Sequence, residues 1–323
     1  MNAFAEIRAQ DVALGVLQRA MAHGRLASAY LFEGPSGVGK RMAAIALAKT
    51  VLGEKAWPRI DHGSHPDVRT FLPRDEGHRN IRVETLREEI LPYAEFAPFE
   101  GKAAFLIFPE ADVSFPENHA ESANALLKSL EEPKANVTWV LLSERPERLL
   151  PTIRSRCQRL RFAPLPPAVV EAILVAHEVP EDARPAAIAL ADGRADRALR
   201  LCQDGEAAAL LELAMKIDEA VAGNRPGALV HAAEELARHD DLLLALDSLC
   251  LFYRDVAAVG AGLEDGALRF GHVSKIIRAR ARHVSPRAAA ERIALVQRSL
   301  EDLEGNAAKQ SAMDALLHRM RAA

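Results

Sequence analysis

Five short apolar runs recur through the first half of the chain, each bounded by polar or turn-forming residues. They lie at 29–33 (AYLFE), 67–72 (DVRTFL), 103–108 (AAFLIF), 137–142 (VTWVLL) and 158–162 (QRLRF). Runs of this length with turn signals at both ends read as strands. Between them, over 40–52, 83–91, 116–132 and 146–155, apolar residues return at helical spacing. Strands alternating with helices imply a parallel sheet covered on both faces.

The pattern changes after Phe162. Residues 163–167 (APLPP) form a turn-rich break, and nothing beyond them reads as a strand. About three short helices are predicted over 167–202, with Gly193 ending the second. From about 205 the helices lengthen, with breaks near Gly223, Asp240, Gly260 and His283. The expected organisation is an α/β domain over 1–163, a small helical domain over 164–204 and a helical bundle over 205–323.

Composition narrows this picture. A chain of 323 residues is long for one core. Its 49% apolar and 27% charged residues suit a folded protein, and 5% aromatics favour helices over an all-β fold. The formal net charge of −4 argues against a large basic surface for bare DNA, so any nucleic-acid contact is local or shared with partners. Cys157, Cys202 and Cys250 lie far apart without a C-x-x-C spacing, which supports neither a zinc module nor a disulfide framework. The first residues lack a signal core, and no run approaches the ~18 apolar residues of a membrane span. A cytoplasmic protein without a membrane partner is expected.

The chemistry begins where the first strand ends. Gly34-Pro35-Ser36-Gly37-Val38-Gly39-Lys40 matches seven positions of a phosphate-binding loop in the strand–loop–helix context that the motif requires. Gly34, Gly37 and Gly39 let backbone N–H groups cradle a phosphate, and Lys40 neutralises its charge. The eighth position should carry a hydroxyl for Mg²⁺, but it is Arg41, which cannot ligate a cation. An acidic pair should end the strand at 103–108, its first member holding the same ion. That place is Pro109, and only Glu110 remains. Without the metal, phosphoryl transfer loses its main electrostatic support. Two independent losses of one ion point to an abandoned hydrolytic function.

Two further stretches carry a resemblance. Asn124-Ala125-Leu126-Leu127-Lys128-Ser129-Leu130-Glu131-Glu132-Pro133 is followed by Leu149-Leu150-Pro151-Thr152-Ile153-Arg154-Ser155-Arg156-Cys157-Gln158. Together they resemble the signature of the clamp-loader branch of AAA+ ATPases, and within it the delta-prime family of the bacterial DNA polymerase III clamp loader. His65-Pro66-Asp67-Val68, Ile81-Arg82-Val83, Gly305-Asn306-Ala307 and the all-helical last third agree with that family.

The resemblance implies an AAA+ P-loop αβα sandwich, a helical lid and a C-terminal helical collar. It implies a subunit of a replication machine whose partners are the tau/gamma ATPase subunits, a delta subunit, the sliding clamp and, indirectly, primer-template DNA. Ser155-Arg156-Cys157 then becomes the trio that reaches a neighbour's ATP site, with Arg156 as an arginine finger given in trans. The collar becomes the principal ring-forming element, and Leu242, Leu243, Leu244, Leu246 and Leu249 offer it more apolar surface than a small bundle must bury.

The departures matter as much. ATP-using relatives place an arginine three residues after a glycine, where Gly193-Arg194-Ala195-Asp196 places Asp196, leaving Arg194 or Arg197 as substitutes. The four-cysteine zinc module of many relatives is missing between Gly53 and Ser64. Asp61, His62, His65 and Asp67 suggest a replacement metal site, yet a solvated loop is the simpler reading. The stripe Lys275, Arg278 and Arg282 reads as a solvated face before it reads as a phosphate contact. No acid–base role is assigned to Lys128, Glu131 or Glu132.

The leading expectation is a non-hydrolysing delta-prime-type subunit, not an enzyme by itself, that requires no cofactor and no zinc. An unhydrolysed nucleotide or phosphate at the loop, as in a nucleotide-sensing switch, stays open. The alternative is an ATP-hydrolysing motor subunit of the tau/gamma type, which needs Ser or Thr at 41 and an acid at 109.

Overall fold

The computed structural model describes residues 2–73, 80–117, 120–134, 136–223, 225, 227–304 and 307–323. Gly305 and Asn306 of the family motif, and residues 118 and 119 of the helix expected over 116–132, lie outside these. The chain divides into two compact units, Met1–Val169 and Val170–Ala323.

The first unit is built on a parallel sheet of β1 (Ala29–Glu33), β2 (Val68–Thr70), β3 (Ala104–Phe108), β4 (Val137–Ser143) and β5 (Gln158–Arg161). The strand order is β2-β3-β4-β1-β5, and each neighbouring pair is parallel. Each expected strand is present, with β2 shortened to three residues. β1, β3 and β4 are buried along their whole length, as continuous apolar runs covered on both faces must be. β5 lies at the edge, and only Leu160 among its residues is buried. Rings knit the sheet together: Phe108 stacks on Phe71 at 5.3 Å and on Trp139 at 5.7 Å.

This strand order, with a glycine-rich loop and helix after β1, is the AAA+ P-loop arrangement. The loop leaving β1 emerges between the C-terminal ends of β4 and β5, where the strand order reverses and α/β sheets bind ligands.

The helix Lys40–Leu52 follows the loop as expected. The helical run from Val83 to Glu95 contains a π-helical segment, Leu86–Ile90. The helix expected over 146–155 is instead a 3₁₀ turn, Pro146–Arg148, and a separate helix, Pro151–Arg156. Pro151 forces the split, because the residue before a proline is driven to extended backbone, and Leu150 sits at ψ 134°. The sequence pattern did not single out the helix Asp11–Ala22, which buries Ala13, Leu14 and Leu17.

The second unit is helical. Its longer members are Glu206–Ala222, Ala228–Ala237, Leu242–Gly260, Pro286–Glu304 and Lys309–Ala322. Ala187, Leu190 and Leu201 belong to the same apolar core as Leu210, Leu246, Phe252 and Leu317, so helices before and after residue 205 share one interior. Leu242–Gly260 is the central helix, apolar around most of its circumference. This corrects the reading of its leucines as surplus: Leu242, Leu244, Leu246 and Leu249 are buried, and only Leu243 of the five is exposed, at 56%.

One polar cluster is sealed inside this unit. The Asp218 carboxylate accepts a hydrogen bond from Tyr253 at 2.9 Å and pairs with Arg280 at 2.5 Å and Arg292 at 3.5 Å. Burial outweighs these partners and raises the Asp218 pKa above 3.8.

Candidate functional site

Two features of the first unit carry chemistry: the loop after β1 and the segment leading into β5. The loop keeps the backbone of a phosphate cradle. Gly34, Gly37 and Gly39 have φ of 144°, 68° and 99°, which L side chains rarely adopt. At Gly34 space also excludes anything larger, since a Cβ there would lie 2.1 Å from the Phe162 carbonyl oxygen.

The loop is also closed upon itself. Lys40 is buried, and its ammonium donates to the carbonyls of Gly34 at 2.6 Å and Pro35 at 2.5 Å. Gln10, which no motif singles out, is buried nearby. Its side-chain nitrogen donates to Ala163 O at 2.8 Å and Val38 O at 3.3 Å, and its oxygen accepts from Ala163 N at 3.0 Å. An incoming phosphate would have to draw Lys40 away from two carbonyls.

Arg41 is exposed at the start of the helix. At the end of β3, Pro109 supplies no oxygen from its side chain. The buried Asp112 accepts from Glu144 N at 3.2 Å, which ties the turn after β3 to the end of β4. Glu33, the last residue of β1, is also buried, and it pairs with Arg159 of β5 through both carboxylate oxygens.

The helix Pro151–Arg156 carries the trio. Ser155 and Arg156 are exposed, whereas Cys157 is buried. Burial, with the negative charge of Glu33, pushes the Cys157 thiol up to about 12, so it is an inert packing residue. Arg156 ends the helix with its side chain 34% exposed and its guanidinium beside Glu131, 2.5 Å away. Glu131 has no assigned acid–base role, and the fold brings it across 25 positions to the one residue of the trio that carries charge.

The region between Gly53 and Val68 is only in part the solvated loop expected: Asp61 and His62 are exposed, but 54–61 forms two short helices, Glu54–Ala56 and Trp57–Asp61, and His65 and Asp67 are buried. Asp67 accepts backbone hydrogen bonds from Phe99 at 2.5 Å, Glu100 at 3.1 Å and Gly101 at 2.7 Å, so it anchors the loop before β3. His62 hydrogen-bonds Pro58 O, and Asp61 pairs with Lys49. No group of three or more His, Cys, Asp or Glu among the described residues is placed to hold a metal ion.

In the second unit, Asp196 is exposed in the first turn of Ala195–Leu201, where a carboxylate suits the helix dipole. Arg197 is turned to Asp247 at 3.2 Å, and with Arg194 and Arg200 it lines an open groove of about 430 Å³. Arg278 pairs with Asp265 at 2.5 Å, while Lys275 and Arg282 are exposed. No helix among the described residues is long and apolar enough to cross a membrane.

Known proteins are similar to this chain in sequence. A family model described as DNA polymerase III, delta subunit, matches residues 9–166. The DNA polymerase III subunit delta' of Bacillus subtilis is 30% identical over 325 residues, covering 95% of each chain. Its counterpart in Pseudomonas aeruginosa is 36% identical over 167 residues, 48% of this chain and 49% of that one. The gamma/tau subunit of Mycobacterium tuberculosis is 31% identical over 180 residues, 53% of this chain but 30% of that one. Among solved structures, a gamma-subunit-related protein of Thermotoga maritima aligns over 96% of this chain and 99% of its own at 16% identity, with a TM-score of 0.44.

Proposed function

Since this chain belongs to the delta-prime family of DNA polymerase III clamp-loader subunits, we propose that it is a non-hydrolysing ring member that lends Arg156 to a neighbouring ATPase. Its partners in this reading are tau/gamma-type ATPase subunits and a delta subunit. The ring delivers a sliding clamp to primed DNA, which this chain meets only indirectly.

One contrast carries the reading: a chain that displays a cation while the magnesium ligands of its own loop are missing. The loop keeps Gly34, Gly37, Gly39 and Lys40 but has Arg41 and Pro109 in place of both oxygen ligands. Arg156 stands exposed at the end of its helix, ahead of the edge strand β5. A guanidinium in that position can stabilise charge on a phosphate held by another chain, and such fingers are worth ~10³–10⁵ in rate. The loop itself has become structural, with Lys40 bracing its carbonyls.

The test is magnesium-dependent ATP hydrolysis by the purified chain, alone and with a tau/gamma-type ATPase. The chain alone should show no turnover, and adding it should raise the partner's rate. Turnover at the ~1–100 s⁻¹ of phosphoryl-transfer enzymes by the chain alone would contradict the reading. A second reading, a nucleotide sensor, draws on the preserved glycine backbone of the loop. Equilibrium binding of labelled ATP without magnesium separates the two, since the first predicts weak binding or none.

A further inference from the structure

The glutamates that end the helix Ala120–Glu131 stand against its electrostatics. A helix C-terminus carries partial negative charge from its last carbonyls, so a carboxylate there is unfavourable. Glu131 is the last residue of this helix and Glu132 follows it. Folding alone therefore gives a poor account of Glu131, and its contact gives a better one. Its Oε1 lies 2.5 Å from Nη2 of Arg156.

The other terminal nitrogen of that guanidinium, Nη1, donates to Thr152 O at 3.0 Å and meets Ser155 Oγ at 3.5 Å. Arg156 is thus held between the C-terminal ends of two helices, both of which favour a cation. Of the five N–H donors of a guanidinium, these contacts engage three, so two stay available to a further anion. The pair is exposed, 34% for Arg156 and 49% for Glu131, and exposed ion pairs add little to fold stability. What it does fix is the direction of a long, rotamer-rich side chain.

We propose that Glu131 is a positioning residue for Arg156, holding the guanidinium in the orientation in which it meets a phosphate of the neighbouring subunit. The inference rests on the reading of Arg156 as a finger in trans. Glu131 touches neither nucleotide nor reacting atoms and acts through Arg156 alone.

The experiment compares reconstituted rings carrying wild-type chain, Glu131→Ala, Glu131→Gln, Arg156→Ala and the Glu131→Ala/Arg156→Ala double variant. DNA- and clamp-stimulated ATPase is resolved into kcat and KM, with incorporation followed by gel filtration and folding by thermal melting. Glu131→Ala should lower kcat about threefold to tenfold, the scale of ordering one rotamer-rich side chain, with KM and incorporation unchanged. Glu131→Gln, whose amide oxygen still accepts a hydrogen bond, should recover half or more of the loss. In the Arg156→Ala background, Glu131→Ala should change nothing further. An unchanged or raised kcat for Glu131→Ala beside a slow Arg156→Ala ring would overturn the positioning role and leave the finger standing. Equal losses in both backgrounds would also overturn it, because Glu131 would then act by another route. A fully active Arg156→Ala ring would remove the finger, and this inference with it.

Discussion

At the residue scale, positions that look alike in the sequence have very different tolerances. Gly34→Ala places a Cβ 2.1 Å from a carbonyl oxygen at a φ of 144°, so strain and collision coincide. It should destabilise the first unit by about 3 kcal/mol or more, read from urea unfolding. Gly39 shares the unusual φ, but a Cβ there would meet only the Ile7 side chain at 3.4 Å, and alanine there should cost less. The Cys157 thiol, at about 12, is ionised at pH 8 to only about one part in ten thousand. Native protein should therefore leave Cys157 unlabelled by a thiol-disulfide reagent at pH 8, and labelling should appear on unfolding. Rapid native labelling would mean that Cys157 is not packed as described.

At the element scale, the sealed cluster of the second unit gives the sharpest stability test. Removing the carboxylate in Asp218→Ala leaves Arg280 and Arg292 facing a hole, which should cost about 3–5 kcal/mol. The pH dependence follows from the raised pKa. Between 3.8 and its folded value, Asp218 binds more proton in the folded chain than in the unfolded one. Its contribution is then fullest at low pH and declines as pH rises through that window. Wild type should lose stability relative to Asp218→Asn over that rise in denaturant titrations, and a gain would contradict the assignment.

Elements were legible in the sequence to the degree that their signal is local. β1, β3 and β4 announced themselves because strands buried on both faces are continuous apolar runs. The phosphate loop and its missing oxygens were equally plain, since seven consecutive residues define the first. The helix Asp11–Ala22 escaped because Gly15 interrupts it and no side chain caps its start. Asp67 passed for part of a loop because its three backbone donors lie more than 30 positions away. The grip of Gln10 on Ala163, across 153 positions, and that of Glu131 on Arg156 exist only once the sheet is assembled.

At the scale of the whole molecule, the proposed division of labour follows the division of the chain into two compact units. A cut near residue 205 would open one continuous core, parting Leu190 and Leu201 from Leu210 and Leu246, whereas the boundary of the compact units falls at Val169 and Val170. The second unit is proposed as the ring-forming part. A fragment of residues 1–169 should then fold yet fail to join the ring in gel filtration, and full-affinity assembly by that fragment would assign ring formation to the first unit. The central claim is that this chain works on a nucleotide it does not hold, and it rests on Arg156. Deleting an exposed cation should cost the fold no more than about 0.5 kcal/mol, while the loss should fall on the transition state of another subunit. The most direct measurement is kcat for ATP hydrolysis by the complete ring, on primed DNA with clamp, carrying wild-type chain or Arg156→Ala. The account predicts full incorporation, an unchanged melting temperature and a kcat reduced by about tenfold or more, less than the whole worth of a finger because other sites keep theirs. An Arg156→Ala ring that hydrolyses ATP at the wild-type rate would contradict it.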